Sequence, residues 1–75
     1  MARVLLYSKP GCHLCDDART VVRAVVADDF DEVDITTDPE LMRRFGEQIP
    51  VTFVDGAQHD FWRVDEARLR AALQG

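Results

Sequence analysis

Two cysteines, Cys12 and Cys15, are the residues of this 75-residue chain best suited to covalent chemistry. They are separated by two residues and follow the turn-forming segment Ser-Lys-Pro-Gly at positions 8–11. This spacing is less than one helical turn, so both sulfurs can lie within disulfide reach at the start of a helix. A disulfide that closes so small a loop would stabilise a fold little, which favours reversible thiol chemistry over a structural bridge.

The first cysteine is the expected attacking thiol of the pair. At a helix start, the Cys12 sulfur faces unpaired amide groups and the positive end of the helix dipole, which favour the thiolate. Lys9 would add to this effect if its ammonium group reached the sulfur, whereas Asp16 and Asp17 in the first helical turn would oppose it. Cys15 lies one turn further in and fits the resolving role, in which it attacks the mixed disulfide and releases the reduced partner.

The apolar pattern around the cysteines predicts alternating strands and helices. Strands are expected over 3–7, 30–35, 49–54 and 58–62, and helices from 12 or 13 to 28, from 37 to 46 and from 65 onward. Thr37 is the expected N-cap of the second helix, with Glu40 as its capping-box partner, and Asp65 is that of the third. Asp55-Gly56 is typical of a hairpin turn.

The predicted order β-α-β-α-β-β-α indicates an α/β fold. The first βαβ unit would pair its strands in parallel, and the hairpin would add antiparallel strands. The result would be a four-stranded mixed sheet flanked by three helices, a layout that matches the thioredoxin fold. Since 75 residues have room for one core, we expect a single domain over 1–75.

Composition and charge restrict the classes of partner. A formal net charge of -5 disfavours a nucleic-acid or anionic-membrane surface, which would select clustered Lys and Arg. The apolar run at 4–6 is too short for a signal peptide or a membrane span, so we expect a cytoplasmic protein. The composition is that of an ordinary globular domain, and we expect it to fold as a monomer.

Several short motifs occur together along the chain. Tyr-Ser-Lys-Pro-Gly-Cys-x-x-Cys is followed by an Asp-Ile-Thr strand end, Ile-Pro-Val before a Phe-Val strand, Asp-Gly and a capped last helix. Together they resemble a glutaredoxin over nearly the whole chain, and Cys-His-Leu-Cys-Asp-Asp is similar to a group of short bacterial glutaredoxin-like proteins. The resemblance implies a thiol-disulfide oxidoreductase of cell redox homeostasis that reduces protein or glutathione mixed disulfides and carries no bound cofactor.

The resemblance also implies roles for residues near the cysteine pair. Lys9 would bind a carboxylate of glutathione, Cys12 would form the mixed disulfide, and Ile49 would hydrogen-bond the tripeptide backbone beside Pro50. If the Ile49-Pro50 bond is cis, the amide of Ile49 would face outward, ready to pair with an extended thiol substrate. His13, between the two cysteines, is either a spacer or a residue that contacts the substrate.

The segment before the last helix departs from the glutaredoxin pattern. Where glutaredoxins have two glycines before the capping Asp, this chain has Trp62 and Arg63 ahead of Asp65. Trp62 is either a half-buried residue of the sheet or a wall of the substrate site. Trp-Arg-Val-Asp also resembles the Phe-Arg-Pro-Asp segment of the glutaredoxin-like hydrogen donors of ribonucleotide reductase, which thioredoxin reductase reduces. Either glutathione or a thiol-disulfide reductase is therefore expected as the electron source.

Two other classes of function stay open from the residues alone. The cysteine pair could be half of a zinc or iron-sulfur site, with His13 or His59 as a further ligand and a second subunit supplying the rest. The chain could also be a redox-inactive adaptor that keeps the fold for contact with proteins.

Overall fold

The computed structural model describes residues 2–74, which form a single four-stranded sheet with helices on both of its faces. The strands are β1 (Val4–Ser8), β2 (Phe30–Asp34), β3 (Val51–Val54) and β4 (Ala57–Phe61). The helices are α1 (His13–Val26), α2 (Pro39–Phe45) and α3 (Glu66–Gln74), and a 3-10 helix (Ile35–Thr37) joins β2 to α2. The predicted order β-α-β-α-β-β-α is confirmed.

The strands follow the spatial order β2-β1-β3-β4. Strand β1 runs parallel to β2, so that Val4 lies opposite Phe30, and antiparallel to β3, which in turn pairs antiparallel with β4. Because β1 has a neighbour on each side, its apolar sequence is explained by a central position. This is the mixed sheet of the predicted thioredoxin-like fold.

The core is divided between the two faces of the sheet. On one face, α1 and α3 bury Val22 and Leu69 against Val4 and the other apolar side chains that point the same way. On the opposite face, Phe45 of α2 packs against Tyr7 and Phe53, with ring centroids 5.4 and 5.8 Å away. The end of β1 and the start of α1 are thereby fixed from both sides.

The predicted cap of the second helix is wrong by one residue. Asp38, not Thr37, is the N-cap of α2, and its Oδ1 accepts hydrogen bonds from the amides of Glu40 and Leu41 at 2.9 and 3.3 Å. Thr37 belongs to the 3-10 helix, where its hydroxyl donates to the carbonyl of Asp34 at 2.9 Å. Glu40 is therefore the second helical residue and cannot complete the predicted capping box with Thr37.

The strand bounds also differ from the prediction, by one residue in β1, β2 and β4 and by two residues at the start of β3. Strand β2 ends at Asp34, and Ile35, predicted to be its last residue, is fully buried in the 3-10 helix. Strand β4 ends before Trp62, which lies in the connection to α3. No helix among the described residues combines the length and the apolar character needed to cross a membrane.

Candidate active site

Cys12 is the N-cap of α1, as its position after β1 predicted. Gly11 precedes it with φ +74°, a left-handed conformation that glycine adopts without steric cost, and the chain then turns into the helix. Cys12 is half-buried, and its Sγ accepts a hydrogen bond from the amide of Cys15 at 3.2 Å. The sulfur therefore takes the place of the oxygen of a capping side chain, beside amides that have no partner within the helix.

Cys15 lies inside the protein, directly behind the helix start. Its exposed fraction is 0%, and it belongs to a buried apolar cluster with Ile35 and Ile49, against which Cys12 also packs. Burial, followed by the hydrogen bond to Cys12, raises the pKa of Cys15 from 9.0 to about 11. Both cysteines are free thiols, so the site pairs an accessible sulfur with an enclosed one that keeps its proton at neutral pH.

A polar network stands beside the pair. The guanidinium of Arg19 binds both carboxylate oxygens of Glu32, at 2.8 and 2.5 Å, and the hydroxyl of the buried Ser8 donates to Glu32 at 2.7 Å. Arg19 also binds Asp16 at 2.8 Å, so one of the two acidic groups expected to oppose a Cys12 thiolate is paired with a cation. The hydrogen bonds from Arg19 and, to a smaller extent, the one from Ser8 lower the pKa of Glu32.

Sequence reasoning missed Arg19 and Glu32 as parts of the site. The spacing of Asp16 and Arg19 fits an ion pair on one helix face and could have been recognised. Glu32 lies on another element, 13 residues from Arg19, and no local pattern links the two.

The loop before β3 approaches the cysteines as expected. The Ile49-Pro50 peptide bond is cis, and both residues are buried. Ile49 shares its apolar cluster with Cys15. Within residues 2–74 the amide of Ile49 takes part in no hydrogen bond, so this donor is available beside the cysteine pair.

Trp62 forms a wall of a groove and is not a residue of the sheet interior. Its side chain is 52% exposed, and its indole Nε1 donates to the carbonyl of Glu47 at 2.9 Å. Together with Leu14, Ile49 and Arg63 it lines an open groove of about 540 Å³. A role of this groove toward a substrate stays a prediction.

The other predicted site residues lie around this centre. Lys9 is exposed at the end of β1, and in the described part of the chain its ammonium has no carboxylate partner and no hydrogen bond to Cys12. His13 is the exposed first residue of α1. Asp65 accepts a hydrogen bond from the amide of Arg68 at 3.1 Å and so caps α3, as predicted. Roles of these residues toward a substrate stay predictions.

His59 lies on β4. Its Nε2 is 3.6 Å from Oδ2 of Asp60. Within the described range 2–74, no three His, Cys, Asp or Glu side chains converge as a set able to hold a metal ion. A cluster shared between two subunits stays an untested hypothesis.

A mixed four-stranded sheet that feeds a Cys-x-x-Cys pair into the start of a helix defines a glutaredoxin-like protein of the thioredoxin superfamily. The chain belongs to the glutaredoxin-like domain family (DUF836), whose model matches residues 3–74. An uncharacterized protein of Mycobacterium tuberculosis is 32% identical over 79 residues, which cover 95% of this chain and 81% of that protein.

Solved structures agree with this assignment. The X-ray structure of the protein XcR50 from X. campestris has a TM-score of 0.81 to this chain, with 34% identity over 95% of each chain. Oxidized glutaredoxin 2 from Chlamydomonas reinhardtii has a TM-score of 0.65, covering 96% of this chain and 71% of that one. Its identity is 20%, so this second similarity concerns the fold alone.

Proposed function

We propose that this protein is a thiol-disulfide oxidoreductase that uses Cys12 and Cys15 as a redox-active dithiol. One observation carries the proposal: the sulfur of Cys12 caps α1 and accepts the amide of Cys15, while the thiol of Cys15 is enclosed behind it. Helix amides without a partner inside the helix can donate to a sulfur at this position, and the thiolate is the form that attacks disulfides.

The reaction proceeds in two exchanges. The Cys12 thiolate attacks one sulfur of a substrate disulfide and forms a mixed disulfide, and the other substrate sulfur leaves as a thiolate that takes up a proton. The Cys15 thiol then gives up its proton, and its sulfur attacks the Cys12 sulfur and releases the second substrate thiol. The substrate gains two electrons, and the protein is left with a Cys12–Cys15 disulfide.

The raised pKa of Cys15 suits the second exchange. While Cys15 is protonated it does not compete with Cys12 for the incoming disulfide. Its hydrogen bond with Cys12 keeps the two sulfurs adjacent, so that attack on the mixed disulfide is an intramolecular step.

The substrates proposed are disulfide-bearing proteins and mixed disulfides with glutathione. Ile49 offers a main-chain amide beside the cysteines, with which an extended thiol substrate can pair as an added strand. Lys9 and Arg63 are exposed cations without carboxylate partners in the described part of the chain, and either can bind a carboxylate of the tripeptide. Two molecules of glutathione, or a thiol-disulfide reductase, would return the two electrons in the reducing cytoplasm.

The test compares Cys12→Ser with Cys15→Ser in the reduction of a glutathionylated protein. We expect Cys12→Ser to lose the activity and Cys15→Ser to accumulate a mixed disulfide that mass spectrometry detects on Cys12. Undiminished activity of Cys12→Ser would overturn the assignment.

The electron source is tested separately with the unaltered protein. One assay supplies glutathione, glutathione reductase and NADPH, and the other supplies thioredoxin reductase and NADPH. Turnover at a normal rate with glutathione would show that Trp62 and Arg63 leave room for the tripeptide. Turnover with thioredoxin reductase alone would favour the hydrogen-donor alternative.

A further inference from the structure

The indole of Trp62 is held in place although half of it is exposed. Its amide donates to the carbonyls of Pro50 and Gln48, at 2.8 and 3.2 Å, and its Nε1 donates to the carbonyl of Glu47 at 2.9 Å. These bonds fix both the backbone and the plane of the ring, while 52% of the residue faces solvent.

The backbone of Trp62 makes this arrangement costly. Its φ is +64°, a left-handed conformation that is unusual for a bulky side chain and that glycine adopts freely. A strained backbone and a fixed, exposed aromatic ring at one position are typical of a binding surface.

The ring lines a groove near the end of α1 that carries Cys12. Ile49 belongs to the cluster against which Cys12 packs, and Leu14, two residues after Cys12, is 37% exposed. These two side chains, Trp62 and Arg63 line the groove of about 540 Å³. A smaller depression of about 180 Å³ lies next to it along α1, between the same Trp62-Arg63 segment and the helix residues Asp17, Ala18 and Val21.

Arg63 is the charged residue of the larger groove. It also lines the smaller depression, where Asp17 is the second charged residue, and it forms no ion pair with any residue in the described range. The larger groove, with three apolar residues and one cation, fits a peptide that presents an apolar side chain followed by a carboxylate. Glutathione has glycine after its cysteine and offers no such side chain.

We propose that Trp62 is a specificity-determining residue that selects protein disulfides whose reactive cysteine is followed by a large apolar residue, with Arg63 binding an acidic residue beyond it. The proposal rests on the proposed function, since it concerns the substrate of the same cysteine pair. In the mixed disulfide on Cys12, the peptide lies extended past Ile49, its apolar side chain packs between Trp62 and Leu14, and its carboxylate reaches Arg63.

The test uses short peptides whose single cysteine is linked by a disulfide to the chromophore 2-nitro-5-thiobenzoate. Attack by Cys12 on the peptide sulfur breaks this bond, releases the coloured thiolate and leaves the peptide on Cys12. Two peptides differ only in Phe or Gly after the cysteine, both followed by Glu, and the glutathione derivative is the third substrate. The pre-reduced protein is used in single turnovers, so no reductase is needed.

For the unaltered protein we expect the Phe peptide to react about 10-fold faster than the Gly peptide, the range typical of one apolar side chain in a pocket. Trp62→Gly, which suits the local φ, is expected to bring this ratio close to 1. Trp62→Phe keeps a ring but loses the bond to Glu47 and should give an intermediate ratio. Met42→Ala, at another exposed apolar residue, serves as the control and should retain the full ratio.

The role of Arg63 is tested with a peptide in which Gln replaces the Glu of the Phe peptide. This change is expected to slow the unaltered protein by about 2- to 5-fold and to have no effect on Arg63→Gln. Equal rates for the Phe and Gly peptides in the unaltered protein would overturn the inference. If all three substrates, glutathione included, react no faster than with free cysteine, the proposed function fails instead.

Discussion

The Sγ of Cys12 accepts a hydrogen bond from the amide of Cys15 at 3.2 Å, and the thiol of Cys15 in turn lies against Cys12. The same pair of residues thus provides the cap of a helix and the two sulfurs of the proposed reaction. Any change that disturbs the start of α1 is expected to alter both the fold and the chemistry.

The enclosed cysteine predicts a selective pattern of alkylation. Iodoacetamide should label Cys12 alone in the reduced, folded protein near pH 8, because Cys15 is fully buried and protonated. Mass spectrometry of the labelled protein checks this, with the protein unfolded in guanidinium as the control in which both cysteines react. Labelling of Cys15 at the rate of Cys12 would contradict the geometry.

The same burial predicts a loss of stability at alkaline pH. The pKa of Cys15 is about 11 in the folded protein and 9.0 in its ordinary state, so between these values the unfolded chain binds fewer protons. The contribution of Cys15 to the free energy of unfolding is full below pH 9 and declines as pH rises toward 11. Urea unfolding of the reduced protein should show this decline, and Cys15→Ser should show less of it.

The network beside the cysteines predicts an effect of Glu32→Gln on stability. Glu32 is partly buried and bound by Arg19 and Ser8, so we expect the substitution to lower the free energy of unfolding by about 1–2 kcal/mol at pH 7. Arg19 lowers the pKa of Glu32. The contribution of Glu32 to the free energy of unfolding is therefore full at pH values above the ordinary pKa of a glutamate and is lost as the pH falls below that pKa. Urea unfolding at pH 7 and pH 3 measures both effects.

A matched control for this substitution is Glu40→Gln. Glu40 pairs with Arg43 on the exposed side of α2, and such pairs contribute about 0–1 kcal/mol. Equal losses from Glu32→Gln and Glu40→Gln would mean that the network adds nothing beyond a surface ion pair.

The observed cap of α2 predicts the order of two further substitutions. Asp38→Ala removes the acceptor for two helix amides and should cost about 1 kcal/mol. Thr37→Ala removes one hydroxyl at an exposed position and should cost less than about 0.5 kcal/mol. Thermal unfolding of the two variants decides between them, and a larger loss from Thr37→Ala would support the capping box expected from the sequence.

The exposed Lys9 predicts dependence on salt in the reaction with glutathione disulfide. Lys9→Gln should lower kcat/KM by about 2- to 5-fold at low ionic strength, because an anionic substrate loses one attractive charge. The difference should shrink at high salt, which screens exposed charges. Arg43→Gln is the control, since its guanidinium is already paired with Glu40. An unchanged rate for Lys9→Gln at low salt would remove Lys9 from the site.

Patterns confined to neighbouring residues were sufficient to predict the cysteine end of the molecule. The apolar run of β1 and the turn that follows it placed Cys12 at the start of α1, and helical spacing placed Cys15 on its buried side. Asp65 was recognised as a cap because no other capping residue stands next to it.

Local patterns were insufficient to choose between two neighbouring residues that could each cap a helix. They were also insufficient to predict contacts between elements that are distant in the sequence. Thr37 and Asp38 are both good caps, and the 3-10 turn that decides between them depends on the side chain of Asp34. The contact between Arg19 and Glu32 depends on the packing of α1 against β2. The left-handed backbone of Trp62 contradicts the usual preference of a large side chain, so no local rule predicts it.

Cys12 is more exposed than Cys15, so an oxidant from solvent reaches the two sulfurs in a fixed order. A peroxide that diffuses from solvent reaches the sulfur of Cys12 first. The sulfenic acid formed on Cys12 then lies next to the thiol of Cys15. Condensation of the two would end the damage at a disulfide that thiols can reverse. The inner sulfur would thus protect its neighbour from irreversible over-oxidation.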